Sequence, residues 1–221
     1  MPKSGQAWVP HFNERSPFFE PFSALGRDLA ARPDWPSLDD YTALVRDAYR
    51  RHRLDLPPLK FAASAPRPRR RRPTVVTLSD VYDGSIVLNG CVPCVPQSYH
   101  DLFNALIFAA LPRSKYALHR RQFEALQARV PAPRFRMPPT RSREQDALTV
   151  FDEGGSVLVV SKSFLDSWSA RDEAVLLDPI DDQSRLIVFG HALLEHIFYG
   201  RCRIRSCAVC SRGSKRSTKR I

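Results

Sequence analysis

Three short runs hold the residues whose types and spacing suit chemistry. In Tyr99-His-Asp-Leu-Phe-Asn104, the polar residues His100, Asp101 and Asn104 are three or four apart or adjacent, so on a helix they share one side near its start. His191 and Glu195 are one turn apart and directly follow an apolar run ending at Phe189. Asp152 and Glu153 precede a glycine pair. Histidine and carboxylate groups from several elements suit either ligation of a divalent metal or general acid–base work. A bound metal would let water act as the nucleophile near neutral pH. On this reading His100, Asp101, Asp152, His191 and Glu195 are the ligands or acid–base groups. Arg113 and Lys115 would hold an anionic substrate such as a phosphoester, with Asn104, His119 and Arg143 also on the binding side. The plainer alternative is architectural. His100, Asp101 and Asn104 would cap a helix, while His191 and Glu195 pair with Arg143 or Arg113 in a buried network.

A second set is made of thiols. Cys91-Val-Pro-Cys94 and Cys207-Ala-Val-Cys210 are two C-x2-C runs. Two such runs can supply four thiolates to a tetrahedral, structural zinc. The 112 residues between them are far more than a zinc ribbon usually has, so free or redox-active thiols are the competing reading.

These residues must be positioned by elements that the pattern predicts in outline. Residues 99–111 are apolar nearly all round, as in a buried helix, and Pro112 closes the run. A second helix is expected from about Ser114 to Val130, with Tyr116, His119, Phe123 and Leu126 on its apolar stripe. Ser37 is a plausible cap for a helix reaching about Arg51, and a short helix is expected near Phe22–Ala31. Thr74–Leu78 and Ser85–Leu88 read as strands flanking a turn at Asp83-Gly84. Ser142 would cap a single helical turn. Leu148–Ser161 would form two strands around the glycine pair, and Ser163–Leu177 an amphipathic helix. Arg185–Phe189 is expected as a strand feeding a helix at His191–Tyr199. The sum is an α+β single domain, a small sheet with four to five helices. Residues 1–73 form an aromatic, Pro-rich arm and Arg-rich linker, 74–200 the core and 201–221 a basic tail.

The net charge of +11 is concentrated. Arg67–Pro73 and the residues from Arg201 onward hold thirteen positive charges and no acid, which leaves the remaining residues at −2. Basic segments of this kind suit nucleic acid or an acidic partner. No apolar run approaches the roughly 18 residues that a membrane span needs. No secretory leader pattern is present at Met1–Pro10, so a cytoplasmic protein is expected.

Three blocks in order carry a family resemblance. They are Tyr99-His-Asp-Leu-Phe-Asn-Ala-Leu with Leu111–His119, then Arg143–Gly155, then Phe189-Gly-His-Ala-Leu-Leu-Glu195. Together they resemble DUF3025, a bacterial domain family of unknown function, over roughly residues 74–200. The chain departs from the family pattern just before the first block, where Cys94-Val-Pro-Gln stands in place of a Thr-Arg pair. The resemblance implies no activity, but it implies that His100, Asp101, Asn104, Arg113, Lys115, His119, Asp146, Asp152, Glu153, His191 and Glu195 belong to the family pattern. It also implies that the cysteines lie outside that pattern, so a zinc on them would be particular to this chain.

Overall fold

Helix α4, Tyr99–Ala110, is buried on every side, and the remaining elements are arranged around it. The computed structural model describes residues 5–64, 75–130, 134–169, 185–201 and 207–212. The Arg-rich run at 67–73, residues 170–177 and the last nine residues fall outside these. Ser98 caps α4 by accepting from the Asp101 amide, and the helix ends where Pro112 opens α5, Pro112–Gln127. Leu102, Phe103, Leu106, Ile107 and Phe108 are fully buried. Burying each such side chain contributes about 1.5–3 kcal/mol of transfer free energy.

Four helices pack directly on α4: α1 (Glu20–Ala30), α2 (Leu38–Arg51), α5 and α8 (His191–Phe198). α1 comes so close that a Cβ on Gly26 would lie 3.1 Å from Leu106 Cδ2. α2 starts at the expected cap, where Ser37 and Asp40 form a reciprocal capping box and Arg32 clamps the Asp40 carboxylate with two hydrogen bonds. The N-terminal arm lays Trp8, Phe12, Phe19 and Trp35 around Tyr99 and Phe103. Its Gln6 side chain also accepts from the Tyr99 amide at 2.8 Å.

The strands form three small sheets. β1 (Lys60–Ala63) is parallel to β3 (Cys91–Cys94), and β2 (Val76–Thr77) is antiparallel to β4 (Arg134–Phe135). In the third sheet β5 (Gly155–Val160) lies between β6 (Arg185–Val188), antiparallel, and β7 (Cys207–Arg212), parallel. With eight α-helices among the described residues, this is an α+β single domain with more helix than expected.

Two stretches differ in type from the sequence reading. Ser85–Leu88 belongs to a helix, α3 (Tyr82–Asn89), closed by Gly90 at φ 60°. Asp83-Gly84 is its first turn and not a hairpin turn. Gly84 is needed because a Cβ there would lie 1.7 Å from the Leu78 carbonyl oxygen. Leu148–Gly154 is also helical, completing α6 (Arg143–Gly154), and only Gly155–Val160 is strand. The β-branched run misled because a full capping box, Ser142 with Gln145, starts a helix upstream of it. Thr149 then satisfies its hydroxyl on the Gln145 carbonyl at 2.7 Å, which a helical threonine can do.

Candidate functional site

Glycine at position 190 sets the geometry of the site. A Cβ there would lie 2.4 Å from the Glu153 carbonyl oxygen, and the Phe189 and Gly190 amides both donate to the Gly155 carbonyl, at 2.9 and 2.8 Å. The start of α8 is thereby pressed against the end of α6, and His191 is delivered beside Asp152 and Glu153. α8 also packs on α4, so Glu195, one turn on, meets His100 at the start of the central helix.

The resulting contacts are short. His100 Nδ1 is 3.2 Å from Glu195 Oε2, and His100 Nε2 is 3.0 Å from His191 Nε2. His191 Nε2 is 3.6 Å from Glu153 Oε2. Behind them Lys115, fully buried, donates to Asp152 and lies 3.5 Å from His191 Nδ1. Its ammonium also faces the Phe108 and Phe189 rings. Breaking such a buried pair by removing one partner typically costs about 3–5 kcal/mol, because the other charge is left uncompensated.

Electrostatics separates the two histidines. Burial disfavours charge on His100, but the Glu195 hydrogen bond and the nearby Glu153 and Asp101 carboxylates outweigh it and raise its pKa above 6.5. His191 is pushed well below that value by burial and by the Lys115 charge. Burial also opposes ionisation of Asp152, yet the Lys115 charge and hydrogen bond hold it down to about 2. Glu195 is lowered by its hydrogen bond to His100, whereas burial raises Glu153 and Asp101. Of the two rings, His100 is the one that carries a positive charge more readily.

This arrangement fits a metal ion. His100 Nε2, His191 Nε2 and a Glu153 oxygen all lie within 4.8 Å of one another. Two ligand atoms about 2.0 Å from one tetrahedral ion stand roughly 3.3 Å apart, and the 3.0 and 3.6 Å separations bracket that figure. An ion between the two Nε2 atoms would leave His100 Nδ1 facing Glu195. Glu195 would remain the carboxylate that orients a ligating histidine.

His100, Asp152, Glu153 and His191 line a cavity of about 640 Å³ that also reaches Tyr82, Asp83, Asn104, His119 and Arg141. Asp101 lines it too, with one oxygen accepting from the Val95 amide at 3.2 Å. Of the groups expected at a site, His100, Asp101, Asn104, His119, Asp152, His191 and Glu195 are brought together here. Two of the expected anion holders are not. Arg113 is exposed and lines separate grooves with Leu54 and Tyr116, and Arg143 is exposed at the start of α6. Lys115 reaches the site but is committed to Asp152 inside the protein.

Glu153 lies outside the ligand set expected from the sequence, although it adjoins Asp152 in the same block. Reading the segment as strand puts neighbours on opposite faces, whereas the last turn of α6 presents both. Tyr82 and Asp83 were hidden by the reading of Asp83-Gly84 as a turn. Arg141, in a loop, gave no periodic signal.

Of the cysteines, Cys94 lines the same cavity, beside Pro93 and Val95. Cys91 and Cys94 are free thiols at the two ends of β3, Cys94 buried with its thiol donating to the Val92 carbonyl. Burial raises its pKa far above the ordinary thiol range. Residues i and i+3 of a strand are about 10 Å apart, so this C-x2-C run is not a turn that brings two thiolates to one ion. Cys207 and Cys210 belong to β7, in a different sheet.

No helix among the described residues is long and apolar enough to cross a membrane. No curated protein and no solved structure matches the chain. The family described as "Protein of unknown function (DUF3025)" matches residues 73–217, about two thirds of the chain, and extends beyond the expected boundary at residue 200 to take in β7 and both of its cysteines. The chain belongs to the DUF3025 family.

Proposed function

We propose that this protein is a divalent-metal-dependent hydrolase, with His100, His191 and Glu153 as the metal ligands. The observation that carries the reading is the convergence of two imidazole nitrogens and one carboxylate at ligand spacing on the wall of a cavity. Two histidines with one carboxylate leave positions open for water and substrate. When bound, the metal supplies an acidified water and a Lewis acid. Glu195 holds the His100 ring in its liganding orientation. Asp101, which lines the cavity, is placed to take up or return a proton. Asp152 stays ionised beside Lys115, and burial together with the Lys115 charge keeps His191 uncharged.

A phosphate-containing substrate, expected from Arg113 and Lys115, is not retained. Four carboxylates line the cavity (Asp83, Asp101, Asp152, Glu153) against one arginine, Arg141. Such a lining favours cations over anions.

The test is zinc titration of metal-stripped protein by calorimetry, together with zinc-dependent hydrolysis of 4-nitrophenyl acetate. One ion per chain is expected. His191→Ala and Glu153→Gln should each weaken binding at least tenfold and abolish turnover while circular dichroism stays native. Absence of zinc and manganese uptake, with a His191→Ala chain that melts, would make the polar set architectural.

A further inference from the structure

Two buried polar atoms beside the candidate metal centre have no partner among the described residues: Asn104 Oδ1 and His119 Nε2. Both side chains line the cavity, and both residues are at most 2 % exposed. Each is held by its other end. Asn104 Nδ2 donates to the Tyr82 hydroxyl at 3.0 Å, and His119 Nδ1 is 2.9 Å from Asp83 Oδ1. Because a carboxylate only accepts, Nδ1 carries a proton, and in the neutral ring Nε2 presents a lone pair. The ring is fixed by stacking on Phe108, with planes 14° apart, and by the edge contact with Tyr82. This corner of the cavity, between α3, α4 and α5, therefore offers two acceptors in fixed positions next to the Asp83 carboxylate. An unpaired buried acceptor costs about 1–3 kcal/mol, so the fold alone gives no reason to keep either.

We propose that this corner is a recognition subsite for a planar, N–H-rich group of amidinium or guanidinium type, whose N–H donors meet Asn104 Oδ1 and His119 Nε2. The pattern decides the class. An amidinium edge presents donors only, whereas a carboxamide or carboxylate would set an acceptor against an acceptor. Asp83 and Asp101 favour a positive charge, and the part-exposed Tyr82 ring offers an apolar wall for a flat group. The inference deepens the hydrolase reading by naming the substrate group held beside the metal. It rests on that reading for its role in turnover but not for binding.

The experiment titrates benzamidine, benzamide and benzylamine into the full chain by calorimetry, metal-free and zinc-loaded. Benzamidine should bind in both forms. Benzamide should bind at least tenfold more weakly, because its carbonyl faces an acceptor, and benzylamine severalfold more weakly, because it lacks the two-nitrogen edge. Asn104→Leu should lose at least tenfold in benzamidine affinity with zinc affinity unchanged. Its unfolding midpoint should stay level or rise, since an unpartnered oxygen has been removed. No benzamidine binding, or equal binding of benzamidine with either control, overturns the proposal. So does a folded Asn104→Leu chain that binds benzamidine as tightly as the unaltered chain. The comparison of the three probes on the unaltered chain stands whatever that variant does. Loss of zinc uptake with benzamidine binding retained would sink the metal reading alone.

Discussion

At the scale of single residues, the pairing of His100 with Glu195 makes the clearest pH statement. Zinc and a proton compete for His100 Nε2, so affinity rises with pH through that histidine's pKa. In the folded protein this value is raised, in the face of burial, by the Glu195 hydrogen bond and neighbouring carboxylates. The midpoint of zinc binding should accordingly lie above the 6.5 of an ordinary histidine. Glu195→Gln removes the interaction that raises it, and the midpoint should move to lower pH. At high pH the same variant should bind zinc about 10–100-fold more weakly, because the ring is no longer oriented. Calorimetric titrations across pH 5–9 (a range chosen to span the histidine's ordinary titration) read both effects, and an unmoved midpoint would refute the assignment. His191 should not add a second acidic limb, since burial and Lys115 keep it neutral well below 6.5.

Elements matter here through two close approaches. The end of α6 and the start of α8 touch backbone to backbone at Gly190, with no room for a side chain. Gly190→Ala should force α8 away from Glu153 by several tenths of an ångström or more, separating the third ligand from His191. Both thermal stability and zinc affinity should fall, the latter at least tenfold. A variant with native zinc binding would show that this contact does not set the ligand spacing. The helix–strand boundary at Gly154-Gly155 serves the same end: it turns the chain within one residue, so that Asp152 and Glu153 face the cavity while β5 runs on into its sheet. Read as a hairpin, the same residues would have offered one of the two acids at most.

On the scale of the whole molecule, the family match and the physical core have different boundaries. The match begins at residue 73, yet Phe12, Phe19, Phe22, Tyr41, Val45 and Phe61 belong to the same buried cluster as Leu102, Phe103 and Phe108. The arm is thus part of the fold and covers one side of α4. A fragment spanning residues 73–221 should lack a cooperative thermal transition and bind a hydrophobic dye, because removing the arm and α1–β1 exposes the central helix. A sharp melting transition for that fragment would contradict this account.

Much of the molecule was legible beforehand. Apolar spacing located α4, α5 and α8, the Ser37 cap located α2, and the three polar blocks hold eight of the seventeen residues that line the cavity. Those features are local: they depend on helix periodicity, capping and residue type, which a sequence carries directly. Other features were decided only by packing. The Leu148–Phe151 run became helix because a cap upstream and contacts with α5 and α8 outweighed its β-branched composition. Lys115 became a buried counter-ion, Arg113 a surface residue, and Glu153 a ligand candidate. Each outcome depends on where a side chain falls relative to partners far away in sequence, and one-dimensional spacing does not encode those distances.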